Sequence, residues 1–282
     1  MPTSSTTRHP AGADRSTGAH PRPIAWADGR VIPASDATVP LTDDGFLRGD
    51  AVFDAMLVRD GHTHAADAHL ARLRRSAKAL DLRVPVLRQV VTDLLAAWGD
   101  RDGVMRIIVT RGGNVRGLLS APPWPASQSL ATIDLPWRTA LTGVKTLSYA
   151  ANMMATRAAN QQGADDALIA TDGVVHELPT GAVCLVHDGE VSAPDHERLP
   201  ILDSISLAEL RKVVEVAPTV PTLADLRAAD EVFVVSAARP VVPVHTIVID
   251  GEEVGYPSPG PVTERLQEAF AEHVRATLDP RG

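Results

Sequence analysis

Gly49-Asp50-Ala51-Val52-Phe53-Asp54-Ala55-Met56-Leu57-Val58 is an almost unbroken apolar run of strand length, opened by a glycine and followed by the turn Asp60-Gly61. It reads as a strand buried on both faces. Upstream, residues 24–32 form two short apolar segments around Asp28-Gly29, a common hairpin signal. Downstream, residues 68–80 set Leu70, Leu73, Ala77 and Leu80 at helical spacing, with Arg72, Arg74 and Arg75 on the other faces. A second helix is predicted over 87–98, then strands over 104–110 and 129–135. Together these elements make an α+β unit over residues 24–137.

Ala121-Pro122-Pro123-Trp124-Pro125 must be a loop, since each proline removes a backbone donor. A boundary falls near residues 136–143, and a second, larger domain is predicted over 143–278. Within it, 150–162 reads as a helix ending at Gly163, and 167–170, 174–176, 183–186 and 231–235 read as strands. Turns at Asp172-Gly173 and Asp188-Gly189 suggest a meander, and further helices are predicted over 206–216, 223–229 and 262–277.

The 282 residues are 44% apolar and 22% charged, enough apolar material for sizeable cores rather than a disordered chain. A net charge of -8 without a Lys/Arg run argues against nucleic acid as a partner. The lone Cys184 rules out an internal disulfide and fits a reducing, cytoplasmic setting. Residues 1–23 read as a flexible tail without a signal-peptide core. No run of roughly 18 apolar residues indicates a membrane helix. CxxC, HExxH, GxSxG and glycine-rich nucleotide motifs are absent, so no metal site is expected. Lys145, in Gly143-Val144-Lys145-Thr146-Leu147-Ser148-Tyr149, stands alone in a weakly polar stretch, where desolvation turns an amine into a nucleophile.

An ordered series of segments across about residues 24–275 resembles the class IV aminotransferases, the fold-type IV pyridoxal-phosphate enzymes. Arg48-Gly49-Asp50-Ala51-Val52-Phe53-Asp54 is similar to the family's first-strand signature, His69-Leu70-Ala71-Arg72-Leu73 to the helix that follows, and 144–149 to the segment bearing the Schiff-base lysine. Gly163-Ala164-Asp165-Asp166-Ala167-Leu168, Asp172-Gly173, Glu177, Ile201-Leu202-Asp203-Ser204-Ile205-Ser206 and the loop 233–244 follow in family order.

The resemblance implies a small N-terminal α/β domain, a larger β-barrel-like C-terminal domain with helices, and pyridoxal 5'-phosphate between them. Lys145 would carry the cofactor and shuttle the substrate proton, while Glu177 would pair with the pyridine nitrogen. Arg72 and the amides of Ile205 and Ser206 would bind the phosphate. Leu202 would pack on the ring and Tyr149 would meet its hydroxyl. The sequence departs from the family pattern at Asp54 (usually Glu), Leu178 (often Gly), Leu207 (commonly Arg) and Ala237 (often a hydroxyl residue), with Ser236 or backbone amides standing in at the cup.

The resemblance also implies a homodimer acting on a small amino substrate. Among family reactions the favoured expectation is 4-amino-4-deoxychorismate lyase, forming 4-aminobenzoate and pyruvate. It rests on the lysine segment and on the stretch 110–117, whose Arg111 and Arg116, with Arg48, are candidate readers of substrate carboxylates. The alternatives are a transaminase for branched-chain or D-amino acids, and a catalytically inactive binding protein on the same fold.

Overall fold

The computed structural model describes residues 21–122 and 125–281. Most of the expected tail, and Pro123 and Trp124 of the proline loop, lie outside them.

The elements in chain order are β1 (Ile24–Ala27), β2 (Arg30–Pro33), the single turn α1 (Asp44–Leu47), β3 (Ala51–Arg59), β4 (His62–Thr63), α2 (Ala66–Ala79), α3 (Arg88–Trp98), β5 (Gly103–Thr110) and β6 (Val115–Ser120). Then follow β7 (Gln128–Asp134), α4 (Ala150–Gln161), β8 (Asp166–Thr171), β9 (Val174–Val175), β10 (Ala182–His187), β11 (Glu190–Pro194), α5 (Ile205–Leu210), β12 (Val216–Thr219), α6 (Leu223–Ala228), β13 (Glu231–Ser236), β14 (Arg239–Ile249), β15 (Glu252–Gly255) and α7 (Pro261–Ala276).

The first sheet has the order β2-β1-β6-β5-β3-β4, antiparallel throughout. Val52, Met56, Ile107 and Leu119 of this sheet pack against Leu70, Leu73 and Ala77 of α2 and Val90, Leu94 and Trp98 of α3. The opposite face of β3 is also covered, because Leu57 joins a second core with Phe233, Val235 and Phe270. This double cover explains the continuous apolar run of β3.

Strand β6 was not expected, since the stretch 110–117 resembles a strand-end loop of the family's lyases. Gly117 is instead a contact point: a Cβ there would lie 2.7 Å from Leu94 Cδ1 and 2.9 Å from Val90 Cγ1, so α3 rests directly on the strand.

The second sheet runs β12-β11-β10-β13-β14-β7-β8-β9, with β15 paired to β14. It corrects two expectations. The strand at 129–135, assigned by sequence to the N-terminal unit, is β7, which pairs in parallel with β8 and β14. Its apolar pattern specified a strand but not which sheet would receive it. The helix expected over 206–216 ends at Leu210, and residues 216–219 pair with β11, where the β-branched Val216 and Thr219 suit a strand and Pro218 cannot continue a helix. The sheet's outer strands converge: Val175 N donates to Pro221 O at 2.8 Å and Leu223 N to Gly173 O at 3.0 Å, giving the barrel-like curl.

The crossover from β7 through α4 to β8 carries Lys145. On the way, residues 144–147 lie beside β3: Phe53 N donates to Lys145 O (3.1 Å) and Leu147 N to Ala51 O (2.9 Å). Gly49 makes this approach possible. It has φ +71°, and a Cβ there would stand 2.9 Å from Ser148 Oγ and 3.1 Å from Ser148 Cα.

Candidate active site

Between the two sheets lies a cavity of about 550 Å³, lined by Phe53, Arg72, Arg106, Trp137, Lys145 and Tyr149, by 177–182 and 204–206, and by the β13–β14 turn. Arg72, Lys145, Tyr149, Glu177, Leu202, Ile205, Ser206, Ser236 and Ala237, the whole expected cofactor set, line it.

The buried carboxylate of Asp54 organises one wall. Arg72 donates to it through Nε and Nη2, both at 2.8 Å, and His69 Nδ1 lies 2.8 Å from Oδ1. Burial opposes the charge on Asp54, but the bonds and charge of Arg72, then of His69, prevail and hold the carboxyl well below its ordinary range. The third arm of Arg72, Nη1, donates to Asp203 O at 2.9 Å, which ties α2 to the turn before α5. Asp54 thus aims a charged fork at the mouth of α5 and, being one methylene shorter than the family's usual glutamate, still reaches it in bidentate fashion.

At that mouth Ser204 caps α5, accepting from Leu207 N at 3.3 Å. Ile205 and Ser206 occupy the first turn, where helix amides have no intrahelical acceptor. Leu207 is buried in the core, so the arginine frequent there in the family has no counterpart.

Across the cavity, the hydroxyl of Ser236 is buried at the bulge of β13 without a hydrogen-bond partner among the described residues. An unpartnered buried hydroxyl is costly unless a ligand meets it, and the donors around it suit a phosphate dianion. The cavity therefore fits the phosphate of pyridoxal phosphate on an observation of its own.

Lys145 is fixed by its backbone amide, which donates to Ser76 Oγ at 3.0 Å. Burial, and next the positive charge of Arg72, push its ammonium down to about 8, although Asp54 and Glu177 pull the other way. Relative to its ordinary 10.5, this costs a few kcal/mol for the charged form and favours a free amine. Glu177 accepts from Trp137 Nε1 (3.0 Å) on one oxygen and from Leu202 N (3.2 Å) on the other. Burial raises its pKa against those bonds, which suits a carboxyl that shares a proton with a ring nitrogen. Tyr149 gives its hydroxyl proton to Pro179 O at 2.8 Å, and burial pushes it up to about 12, so it can only accept from a ligand.

The substrate arginines expected from sequence lie elsewhere in this chain. Arg111 binds Asp50 and the carbonyls of Leu80 and Asp81, and Arg116 binds Asp28 and Thr38 O. Arg48 pairs with Asp44 at the surface, and none of the three lines the cavity. The loop 110–114 is instead a β5–β6 turn held by Asp43, which accepts from Thr110, Gly112 and Asn114.

Sequence reading missed Arg106. It lies on β5, lines the cavity 5.1 Å from the Phe53 ring, and has no carboxylate partner among the described residues. The only signal was one charge inside an apolar strand.

The family model "Amino-transferase class IV" matches residues 51–247. A putative branched-chain-amino-acid aminotransferase of Methanocaldococcus jannaschii is 30% identical over 278 residues, covering 87% of this chain and 94% of that protein. A bifunctional aminodeoxychorismate lyase / D-amino acid transaminase of Mycobacterium tuberculosis is 34% identical over 199 residues, covering 59% of this chain and 67% of that protein. Among solved structures, a hypothetical aminotransferase from Mycobacterium tuberculosis in its PLP-bound form superposes with a TM-score of 0.78 at 27% identity, over 90% of this chain and 99% of that one. The chain belongs to the class IV aminotransferases: it is a pyridoxal-phosphate enzyme of fold type IV.

Two outcomes test the cup and the lysine. Ser236→Ala is expected to leave the melting temperature of the cofactor-free protein unchanged or slightly raised, while weakening pyridoxal phosphate roughly two- to tenfold; equal affinity in a titration would remove Ser236 from the cup. Reconstitution of cofactor-free protein, followed by imine absorbance, needs the neutral amine. Its rate should therefore climb with pH up to about 8 and then level off, whereas a rate still climbing past pH 10 would mean an unperturbed lysine near 10.5.

Proposed function

We propose that this enzyme is a transaminase, moving the amino group of an α-amino acid to a 2-oxo acid, with Arg106 receiving the substrate carboxylate. The observation that carries the reading is the position of that unpaired guanidinium. Arg106 Cζ and Lys145 Nζ stand 5.1 and 4.7 Å from the centroid of one ring, Phe53. Both also line one cavity, which leaves room for an amino acid to meet the two groups.

In this reading Arg72, Ser236 and the amides of Ile205 and Ser206 hold the cofactor phosphate, and Leu202 borders the ring. Bound pyridoxal phosphate supplies an electron sink for the charge left when a proton leaves the substrate carbon. Glu177 would hold a proton on the ring nitrogen of that group. Lys145, as a free amine, would take the proton from the substrate α-carbon and return it, which its lowered pKa allows near neutral pH. Arg106 fixes which substituent points toward β5, so the carboxylate is an anchor rather than a reacting group.

The lyase expectation retains two supports, the form of the lysine segment and the partial match to the bifunctional protein of Mycobacterium tuberculosis. A third weakens: Arg111 and Arg116 are engaged by Asp50 and Asp28 away from the cavity, so they do not argue for a substrate with two carboxylates in the single chain. The inactive reading has none, because Lys145, Glu177 and Arg72 converge on one cavity. We also propose the homodimer. Leu41, Phe46 and Leu47 expose apolar side chains next to Arg48, a surface that self-association would cover. Light scattering should return twice the chain mass; a single-chain mass would set the homodimer aside.

The function is tested by offering D-alanine, D-glutamate and L-leucine with pyruvate or 2-oxoglutarate, and separately aminodeoxychorismate, and reading new amino acid against 4-aminobenzoate. New amino acid is expected. Arg106→Met should lower kcat/KM for the accepted amino acid about ten- to a hundredfold and affect a carboxylate-free amine far less. Equal losses for both would detach Arg106 from carboxylate recognition.

A further inference from the structure

Outside the cavity just described, three side chains from distant parts of the chain converge. His64 follows β4, Glu209 lies on α5 and His273 on α7. His64 Nε2 is 3.7 Å and His273 Nε2 3.1 Å from the same oxygen, Glu209 Oε2, and all three donor atoms lie within 4.8 Å of one another. The side chains are 7%, 8% and 15% exposed, so the cluster is enclosed with one open flank.

We propose that His64, Glu209 and His273 form a binding site for a borderline divalent cation of the zinc type, independent of the catalytic cavity. Two imidazoles and a carboxylate are a donor set that zinc favours, and three protein ligands leave one position for water. The spacing agrees with it. Ligands on a tetrahedral zinc with bonds of about 2.0–2.1 Å stand roughly 3.3–3.4 Å apart, between the two distances found here. The rings of His64 and His273 are perpendicular, at 5.8 Å between centroids, and His64 also meets the edge of Phe270 at 6.4 Å, which limits their rotation.

Two neighbours compete for the ligand atoms. Thr277 Oγ1 lies 3.2 Å from His64 Nε2, and Lys212 Nζ donates to Glu209 Oε1 and Oε2 at 2.8 and 2.9 Å. Lys212 is 59% exposed, so it can swing into solvent and leave Oε2 to the metal.

The place of the site gives it a consequence. His64 stands just before α2, which carries Arg72, and Glu209 stands one turn into α5, whose first turn borders the phosphate cup. A cation held by both, and by α7, would clamp together the two helices that meet at the cofactor. The pairing of Asp279 N with Thr63 O (2.8 Å) and of Ala66 N with Asp279 Oδ2 (2.9 Å) already aligns this seam.

The test uses untagged, full-length holoenzyme freed of metal by a chelator, titrated with Zn²⁺ against a chromophoric competitor, with thermal melting alongside. One ion per chain and a rise in melting temperature are expected. His273→Gln and His64→Gln should each weaken binding at least tenfold while the cofactor absorbance is retained, and Lys212→Met should tighten it several-fold. His187→Gln, on β10 and outside the cluster, should bind as the parent does. His273 is partly exposed and its variant is expected to fold even if the His64 variant does not. Absence of one-to-one binding, or binding that survives His273→Gln unchanged, overturns the site.

Discussion

A negative charge with almost no access to water, on Asp54, sets the terms for the rest of this molecule. Such a carboxylate is tolerated only when its desolvation is offset by charged donors, and here Arg72 gives two hydrogen bonds and His69 sits within reach of a third. Because Asp54 lies on β3 and its partners on α2, the strand and helix cannot slide past one another without stranding a buried charge. The remaining arm of Arg72 reaches the carbonyl of Asp203, so the same constraint extends to the start of α5 in the other half of the chain. The placing of a cation at the helix mouth is a by-product of that linkage: the arginine that keeps Asp54 buried also reaches the turn before α5.

The charges that line the cavity follow from this. Arg72, Lys145 and Arg106 face Glu177, so cations outnumber carboxylates on its wall. Mutual repulsion contributes to the lowered pKa of Lys145, after burial, and the imbalance suits a doubly charged phosphate and a substrate carboxylate. An apolar frame of Phe53, Tyr149 and Trp137 keeps the amine from full solvation, with Phe53 and Tyr149 in edge-to-face contact at 5.3 Å. The lowered pKa of Lys145 thus comes from a small number of charges placed where water is scarce.

The elements most legible in the sequence were those whose pattern is local. The two-sided burial of β3, the amphipathic stripe of α2, the hairpin at Asp28-Gly29 and the glycine stop after α4 all follow from residues within a few positions of one another. The set expected at the cofactor was named through resemblance, and its members line one cavity because they sit at recognisable points of those elements. Arg111 and Arg116 were candidates because the stretch 110–117 resembles a strand-end loop of the lyases, and Arg48 as a further cation for a substrate carboxylate. Asp44, Asp50 and Asp28 engage them instead, and no local pattern announces an ion pair across 61 or 88 residues.

By itself, then, the sequence determined most of the elements, the family and its cofactor, and singled out Lys145 as the candidate to carry it, because helix stripes, strand runs and ordered motifs are properties of neighbouring residues. Only the tertiary structure decided that β7 belongs to the second sheet, that Arg106 rather than the loop arginines faces Lys145, and that His64, Glu209 and His273 meet at the seam. Each of these depends on pairing between segments far apart in the chain. Such pairings are selected by the shared burial of whole faces, a quantity that exists only once the chain has closed upon itself.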